Sequence, residues 1–464
     1  MEKIKTTLRD SRWGRWVALA MVSFTMLCGY YLTDAMAPLQ ERLQAGLAWS
    51  GADYGLYTGG YGWFNVFLIM LVVSGIILDK TGIRFTGVLA ILIMLCGALM
   101  KYLSISGFFG NGMVDLFFFE ANKQAFLAGL GFAIFGVGVE MFGITANKAV
   151  IRWFKGKEMA LAIGLNTSTG RIGTALAMFT PVPLVKLTGN ISAPILLSIL
   201  ILCIGLTAFI GFIMYDRKLD KQEGVSKATT EETEKFKFGD ILQILKVRAF
   251  WYITILCVLF YSAVFPFIKF ATNLIVQKFH VSDEFAGYIP ALLPLGALFL
   301  TPFFGSIYDR KGKGATIMII GSVILLCVHI LFSIPSLNNL TFAIGLIILL
   351  GIGFSLVPSA MWPSVAKIIP ENRLGTAYSI TFWVQNWGLM GVPMLIGHIL
   401  DKYCLVGRVS KMIDGKELQV PQYNYMIPML VFACFGALAI FFAFLLKRED
   451  AKKGYGLEKA NIEG

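Results

Sequence analysis

Charged residues are scarce in this chain: they make up 15% of its 464 residues, while 57% are hydrophobic. A soluble domain carries about 25% charged residues, so this composition leaves too little polar surface to cover a soluble globule. The mean hydropathy of +0.72 predicts a membrane protein instead. An outer-membrane barrel is excluded as well, because its short alternating strands differ from the long unbroken apolar runs seen here.

Cysteine and histidine are few and form no motif. The seven cysteines and three histidines show neither CxxC nor Cys/His spacing, so no disulfide framework and no metal site are predicted. No Ser/His/Asp constellation and no phosphate-binding loop occurs, so we expect neither an enzyme nor a cofactor. The net charge of +12 would suggest nucleic acid in a soluble chain. In a membrane protein it is typical of basic loops, and no nucleic-acid partner is expected.

Apolar runs long enough to cross a bilayer divide the chain into two sets of six. The first set lies at 16–36, 55–78, 85–103, 126–150, 158–181 and 193–214. The second set lies at 249–277, 284–308, 316–334, 340–368, 373–399 and 425–447. The polar stretch 216–248 separates them. We therefore predict an all-α polytopic membrane protein with 12 transmembrane helices in two pseudo-symmetric six-helix bundles, 1–215 and 249–464, joined by the cytoplasmic linker 216–248.

Lysine and arginine are distributed unequally between the two sides of the predicted bilayer. The loops and tails on the side of the termini hold 28 of them, and the loops of the other side hold nine. Because basic residues collect in cytoplasmic loops, both termini are predicted to be cytoplasmic.

A loop motif occurs once in each half, with its aspartates 230 residues apart. Each copy follows G-x-x-x-D-[KR]-x-G with a basic residue close behind. The first copy comprises Gly75, Asp79, Gly82 and Arg84, and the second comprises Gly305, Asp309, Arg310 and Gly312. Both copies resemble the loop of the major facilitator superfamily, which implies two bundles around a central cavity that opens alternately to either side.

The first copy also supports a mechanical hypothesis. Gly75 is expected to allow close helix contact, Asp79 to face the N-terminus of a neighbouring helix, and Arg84 to pair across the interface between the halves. In the alternative, the basic residues of the loop only set topology.

Ionisable residues inside spans are the strongest functional signal, since such a group costs several kcal/mol unless it faces a cavity or a partner. Glu140 and Arg171 lie mid-span on consecutive helices. Either they form a buried ion pair that fixes packing, or they bind the two ends of a zwitterion, with Arg171 taking a carboxylate. Glu140 then accepts an amine or carries a coupling proton.

Two further charges, Asp34 near the end of the first span and Lys269 in the seventh, complete the candidate cavity. Pro358 and Pro363 are expected to bend or interrupt the tenth span. Polar-tipped or aromatic residues at cavity depth are further substrate-binding candidates, although such residues more often serve packing. They are Tyr61, Trp63, Asn65, Tyr261, Phe265, Trp362, Gln385 and Asn386.

Several segments resemble one subfamily, the lysosomal dipeptide transporters of the major facilitator superfamily and their bacterial relatives. They include Ile151-Arg-Trp-Phe-Lys-Gly-Lys-Glu158, Gly164-Leu-Asn-Thr-Ser-Thr-Gly-Arg-Ile-Gly173 and Met361-Trp-Pro-Ser-Val-Ala366. The resemblance implies movement of short peptides, with an acid in span four and an arginine in span five gripping the backbone termini. Those positions are Glu140 and Arg171. Lys269 stands where the subfamily has a small residue.

The expected function is therefore alternating-access transport of small peptides, as a uniporter or coupled to protons. An organic-anion carrier that uses Arg171 and Lys269 is the nearest alternative, and a non-transporting receptor or scaffold is another. A bacterial cytoplasmic membrane is the expected location, because the N-terminal tail lacks an acidic dileucine sorting signal. The expected partners are a small-molecule substrate and the lipid bilayer; no feature indicates a surface for the accessory subunit with which the lysosomal protein works.

Overall fold

The computed structural model describes residues 7–116, 120–154, 157–223, 238–370 and 373–461, and helices dominate it. The helices of the first half are α1 (Arg12–Asp34), α2 (Gln40–Gly46), α3 (Gly51–Gly59), α4 (Trp63–Phe67), α5 (Met70–Ile105), α6 (Lys123–Phe154), α7 (Met159–Phe179), α8 (Pro181–Thr188) and α9 (Ala193–Glu223). Of the predicted linker, 224–237 lies outside the described residues.

The second half continues with another series of helices. They are α10 (Phe238–Leu245), α11 (Arg248–Phe279), α12 (Asp283–Ala286), α13 (Tyr288–Lys311), α14 (Gly314–Ser333), α15 (Leu340–Ile368), α16 (Leu374–Ile399) and α17 (Met426–Lys453). Two short antiparallel ribbons lie in loops: β1 (Met113–Asp115) pairs with β2 (Glu120–Asn122), and β3 (Leu405–Ile413) pairs with β4 (Lys416–Tyr423). The ribbons are additions to an otherwise all-helical fold.

Nine helical segments of the described residues are long and apolar enough to cross a membrane. One of them, Met70–Ile105, contains a break at Gly82 and therefore joins the end of the second predicted span to the third. Helices α7 and α16 occupy the predicted fifth and eleventh spans. The order of segments is thus consistent with twelve spans, and both chain ends lie at one face, called here the terminal face; the other is the opposite face.

The glycine of each repeated loop is required by its backbone conformation. Gly82 has φ of 80° and ψ of 173° inside α5, and Gly312, which ends α13, has φ of 68°. Positive φ is accessible to glycine at little cost, so these residues turn the chain sharply between consecutive spans.

Helix α15 runs without interruption from Leu340 to Ile368, with Pro358 and Pro363 inside it. Of the two expected effects of these prolines, an interruption of the tenth span is therefore excluded, and a bend stays a prediction. Each proline removes one backbone hydrogen bond, and neighbouring helices allow a membrane helix to tolerate the loss.

Candidate functional site

Glu140, on α6, accepts a hydrogen bond from the hydroxyl of Tyr61 at 2.9 Å. The Tyr61 ring packs edge-on against Phe132, which is also on α6, with ring centroids 5.4 Å apart. Position 136, one turn before Glu140, is glycine, and a Cβ there would meet the Tyr61 carbonyl oxygen at 2.4 Å. This close approach brings the tyrosine to the carboxylate.

Arg171, on α7, extends from the first half toward aromatic rings of the second half. Its guanidinium carbon lies 4.8 Å from the centroid of Phe354 and 5.6 Å from that of Phe265. Phe265 stacks on Tyr261 at 5.2 Å, and the Trp362 indole N–H donates to the Tyr261 hydroxyl at 3.3 Å. Three predicted residues therefore join in one aromatic wall that faces Arg171.

Glu140 and Arg171 remain separate from each other. Both are partly exposed although they lie mid-helix, and no ion pair joins them in the described part of the chain. The hypothesis of a structural ion pair between them is therefore not supported. The Glu140 carboxylate therefore remains available as a hydrogen-bond acceptor between the halves, and the Arg171 guanidinium as a planar set of donors.

Asp34 and Lys269 are instead engaged with each other across the two halves. The Lys269 ammonium donates to the Asp34 carboxylate at 2.5 Å and to the Thr33 carbonyl at 2.6 Å. Both side chains are largely buried, with 12% and 9% of their surface exposed. In this conformation each charge is neutralised by the other, and their assignment to the substrate site stays a prediction.

Four other predicted residues have described contacts with neither Glu140 nor Arg171. Trp63 packs on Phe126, and a Cβ at Gly129 would meet its ring at 3.0 Å. Gly129 is 11 residues before Glu140 on α6, which places Trp63 about 16 Å along the helix from the carboxylate. Asn65, Gln385 and Asn386 are buried: Gln385 accepts from the Cys257 thiol, and Asn386 donates to its own helix.

Ion pairs between the halves concentrate at the opposite face. The buried guanidinium of Arg42, in the first half, contacts Asp283 at 2.8 Å. It also donates two hydrogen bonds to Asp414, at 3.1 and 3.2 Å. Lys411 contacts Glu41 at 2.6 Å. These residues bind the hairpin β3–β4 and the start of α12 to α2.

Asp401, after α16, caps the N-terminus of α3 in the other half. Its carboxylate accepts from the backbone N–H of Gly51 at 2.7 Å and of Ala52 at 2.6 Å. An acid at this end of a helix is stabilised by the helix dipole. The Tyr423 hydroxyl donates to the same carboxylate at 3.2 Å; burial, followed by the adjacent Asp401 charge, raises the pKa of this hydroxyl, which therefore stays protonated.

Small residues let α3 and α16 approach closely beneath this cap. A Cβ at Gly55 would meet the Pro393 carbonyl at 2.5 Å, and one at Gly59 would meet the Met390 carbonyl at 2.5 Å. A Cβ at Gly397 would meet the Gly51 carbonyl at 2.2 Å. The opposite face is thus closed by backbone-to-backbone packing as well as by charge.

The ion pairs of the first repeated loop, at the terminal face, stay within the first half. Lys148 donates to Asp79 at 2.7 Å, and Arg84 contacts Asp216 at 2.6 Å as well as Asp220. These contacts differ from the helix N-terminus expected at Asp79 and the cross-half partner expected for Arg84, which stay predictions for another conformation. In this conformation, nearby charges of α6 and α9 occupy both side chains.

The close helix contact expected at Gly75 is also absent, since a Cβ there, or at Gly305, would have open space around it. In the second copy of the loop, Asn461 of the C-terminal tail donates to Asp309 at 2.7 Å. A Cβ at Gly312 would meet the backbone of Lys459 at 2.4 Å. Arg310 is exposed at this loop. Among the described residues, no ion pair joins the two halves at the loops of the terminal face.

Sequence reasoning missed the charges that close the opposite face. Arg42, Asp401 and Asp414 lie in predicted loops, where charges are ordinary. Lys101 lies near the end of the predicted third span and is fully buried in α5. A run of apolar residues that continues past it, Tyr102-Leu103, was the available signal.

Comparisons with known proteins give one family and a consistent fold. The sequence profile of the Major Facilitator Superfamily matches residues 19–393. The lysosomal dipeptide transporter MFSD1 of Bos taurus is 28% identical over 405 residues, which cover 83% of this chain and 80% of the relative. The corresponding protein of Mus musculus is 29% identical with the same coverage.

Among solved structures, a bacterial homologue of the human lysosomal transporter Spinster, in an inward-facing and unoccupied conformation, superposes with a TM-score of 0.69. It is 14% identical, and the match covers 95% of this chain and 98% of that one. The nucleoside transporter NupG superposes with a TM-score of 0.63 at 17% identity, over 94% of this chain and 99% of that one.

Proposed function

Because this chain belongs to the Major Facilitator Superfamily, whose members are membrane transporters and not enzymes, we propose that it carries dipeptides across the membrane by alternating access. The relatives of Bos taurus and Mus musculus, which are named lysosomal dipeptide transporters, match this chain over 80% of their length. The geometry of the candidate site also supports this substrate class.

The observation that supports it is the unpaired arrangement of Glu140 and Arg171. A dipeptide presents an amino group and a carboxylate at nearly constant separation, whatever its side chains. Arg171 offers a planar fork for the carboxylate, and the aromatic wall behind it excludes water while leaving those donors free. Glu140, oriented by Tyr61, accepts the amino group or carries a coupling proton, so both uniport and proton coupling remain candidates.

Lys269 argues against the organic-anion alternative. An anion site that combines Arg171 with Lys269 needs both cations, and Asp34 already neutralises Lys269 at 2.5 Å. A dianion would have to break this pair in order to bind.

The proposed orientation of the protein in the membrane follows from the distribution of its basic residues. With 28 lysines and arginines on the terminal side against nine on the other, the terminal face is cytoplasmic. We place the protein in a bacterial cytoplasmic membrane, and the structure then corresponds to an inward-facing state.

The test is uptake of a labelled neutral dipeptide into liposomes that contain the purified protein. Arg171→Ala is expected to lower uptake by about 100-fold, as expected for a lost charge-assisted pair of hydrogen bonds in a site of low polarity. Glu140→Gln, the acid's isosteric amide, separates its two roles: loss of the pH response alone indicates proton coupling, and loss of uptake indicates binding of the amine. Leu200→Ala, at an exposed position of α9, is the control that shows whether substitution and reconstitution alone lower uptake.

Blocked peptides sharpen the assignment. A C-terminally amidated dipeptide should fail to compete with uptake by the wild type, because it has no carboxylate for Arg171 to bind. An N-acetylated dipeptide should also fail, because it has no charged amino group for Glu140 to bind. A folded wild type that transports a dicarboxylate but no dipeptide supports the anion carrier. One that transports neither, and only captures a protein partner, supports the receptor.

A further inference from the structure

Lys101 is a buried cation that the proposed substrate site does not use. Its side chain is fully buried, and its ammonium has no hydrogen-bond partner among the described residues. It lies instead over two aromatic faces, 4.3 Å from the centroid of Phe132 and 5.0 Å from that of Tyr57. An ammonium without a hydrogen-bonding partner in a buried site is destabilising, so a reason for its presence lies outside this conformation.

The neighbouring charges identify that reason. Lys269 lies over the same Phe132 ring, 5.5 Å from its centroid, so the two ammonium groups are no more than about 10 Å apart. Lys269 repels Lys101, and the Asp34 carboxylate that Lys269 binds at 2.5 Å attracts it. Two cations therefore compete for one carboxylate.

The division into halves decides which cation holds Asp34 in each state. Asp34, Phe132 and Lys101 belong to the first half, in which α5 and α6 are tightly packed: a Cβ at Gly131 would meet the Lys101 backbone nitrogen at 2.7 Å. Lys269 belongs to the second half and is held at the interface by the Tyr54 hydroxyl, which donates to its carbonyl at 2.7 Å. When the opposite face opens, Lys269 retreats with the second half and Asp34 loses its partner.

We propose that Lys101 is a positioning residue that replaces Lys269 as the partner of Asp34 when the opposite face opens. A carboxylate left unpaired in this site would be strongly destabilising, and the exchange removes that penalty without moving charge between the halves. The inference rests on the proposed alternation of access but not on the dipeptide as substrate.

The experiment follows opening directly, without a substrate. Met390, which is 9% exposed and packs against α3 at the opposite face, is replaced by cysteine as a reporter. Its labelling by a membrane-impermeant maleimide is measured by mass spectrometry in proteoliposomes, so that the native cysteines are resolved separately. Lys101→Met is expected to lower the labelling rate by at least about fivefold, and Lys101→Arg to retain at least half of it.

Two further measurements separate this role from a merely structural one. Lys101→Met removes an ammonium that has no partner in this conformation, so its melting temperature in detergent should equal or exceed that of the wild type. The double variant Asp34→Asn with Lys101→Met should recover labelling, because no unpaired charge remains after opening.

Unchanged labelling of Lys101→Met would overturn the proposal, as would a lowered melting temperature together with lowered labelling. Failure of the double variant to recover would assign Lys101 to a partner other than Asp34, and would overturn it too. Because none of these readouts involves a peptide, they stand even if dipeptide uptake is not found.

Discussion

The two faces of this protein use the same chemistry with opposite connectivity. At the opposite face, Arg42 joins the first half to Asp283 and Asp414 of the second, and Asp401 of the second half caps α3 of the first. At the terminal face, Arg84 binds Asp216 and Asp220 of its own half. In this structure the charges of the opposite face are therefore paired between the halves, and those of the first motif loop within one half.

The charges of the first motif loop are already paired in this structure. Asp79 and Arg84 have partners, Lys148 and the acids of α9. Closing the terminal face requires exchanging these partners rather than burying free charges. The proposed exchange at Asp34 follows the same rule at the other end of the first half.

The largest effect is expected from disrupting the backbone contact of α3 with α16. Gly55→Leu places a side chain where even a Cβ meets the Pro393 carbonyl at 2.5 Å, and such overpacking costs about 1–3 kcal/mol or more. Liposome uptake should fall by more than about 20-fold. Gly345→Leu, where open space surrounds the glycine of α15, is the matched control and should stay within about twofold. Equal uptake by the two variants would refute a closed contact at this face.

A smaller but specific effect is expected from Arg42→Ala. The change leaves Asp283 and Asp414 without their shared cation; because both carboxylates are about a quarter exposed, solvent limits the loss to about 1–2 kcal/mol. The opposite face should open more often, so labelling of the Met390→Cys reporter should rise about tenfold. Arg84→Ala removes pairs within one half and should not raise it; a rise in both variants would contradict the comparison of the two faces.

Asp401→Asn should have a moderate effect. The amide keeps the size of the side chain but removes the negative charge at the N-terminus of α3, worth about 0.3–2 kcal/mol. Reporter labelling should rise about two- to tenfold, and less than in Arg42→Ala. Labelling below the wild-type rate would mean that Asp401 does not hold the face closed.

The smallest effect is expected from removing an exposed ion pair between the halves. Lys186 pairs with Glu284 between the halves, but both side chains are substantially exposed, and exposed pairs contribute about 0–1 kcal/mol. Lys186→Ala should change uptake less than about twofold, and high salt should mimic it in the wild type. A large loss would show that exposed charges contribute as much to closure as the buried ones.

The sequence predicted the parts of this molecule that contrast with their surroundings. Glu140 and Arg171 stand out because they interrupt apolar spans, and Gly82 and Gly312 because the loop recurs. Arg42 and Asp401 could not be found in this way, because a charge in a loop gives no sign of its partner. The pairings of Asp79 and Arg84 depend on which face is closed, and a single sequence encodes both states.

Distances between spin labels across the two faces, measured in proteoliposomes, test the central claim most directly. Leu187→Cys and Phe285→Cys, both exposed at the opposite face, form one pair, and Lys80→Cys and Lys311→Cys at the terminal face form the other. Without substrate, the opposite-face pair should give a short, narrow distribution and the terminal-face pair a long one. A saturating neutral dipeptide should shift part of the population to the reverse pattern. A short distance at both faces without peptide, or no response to peptide, would contradict the account.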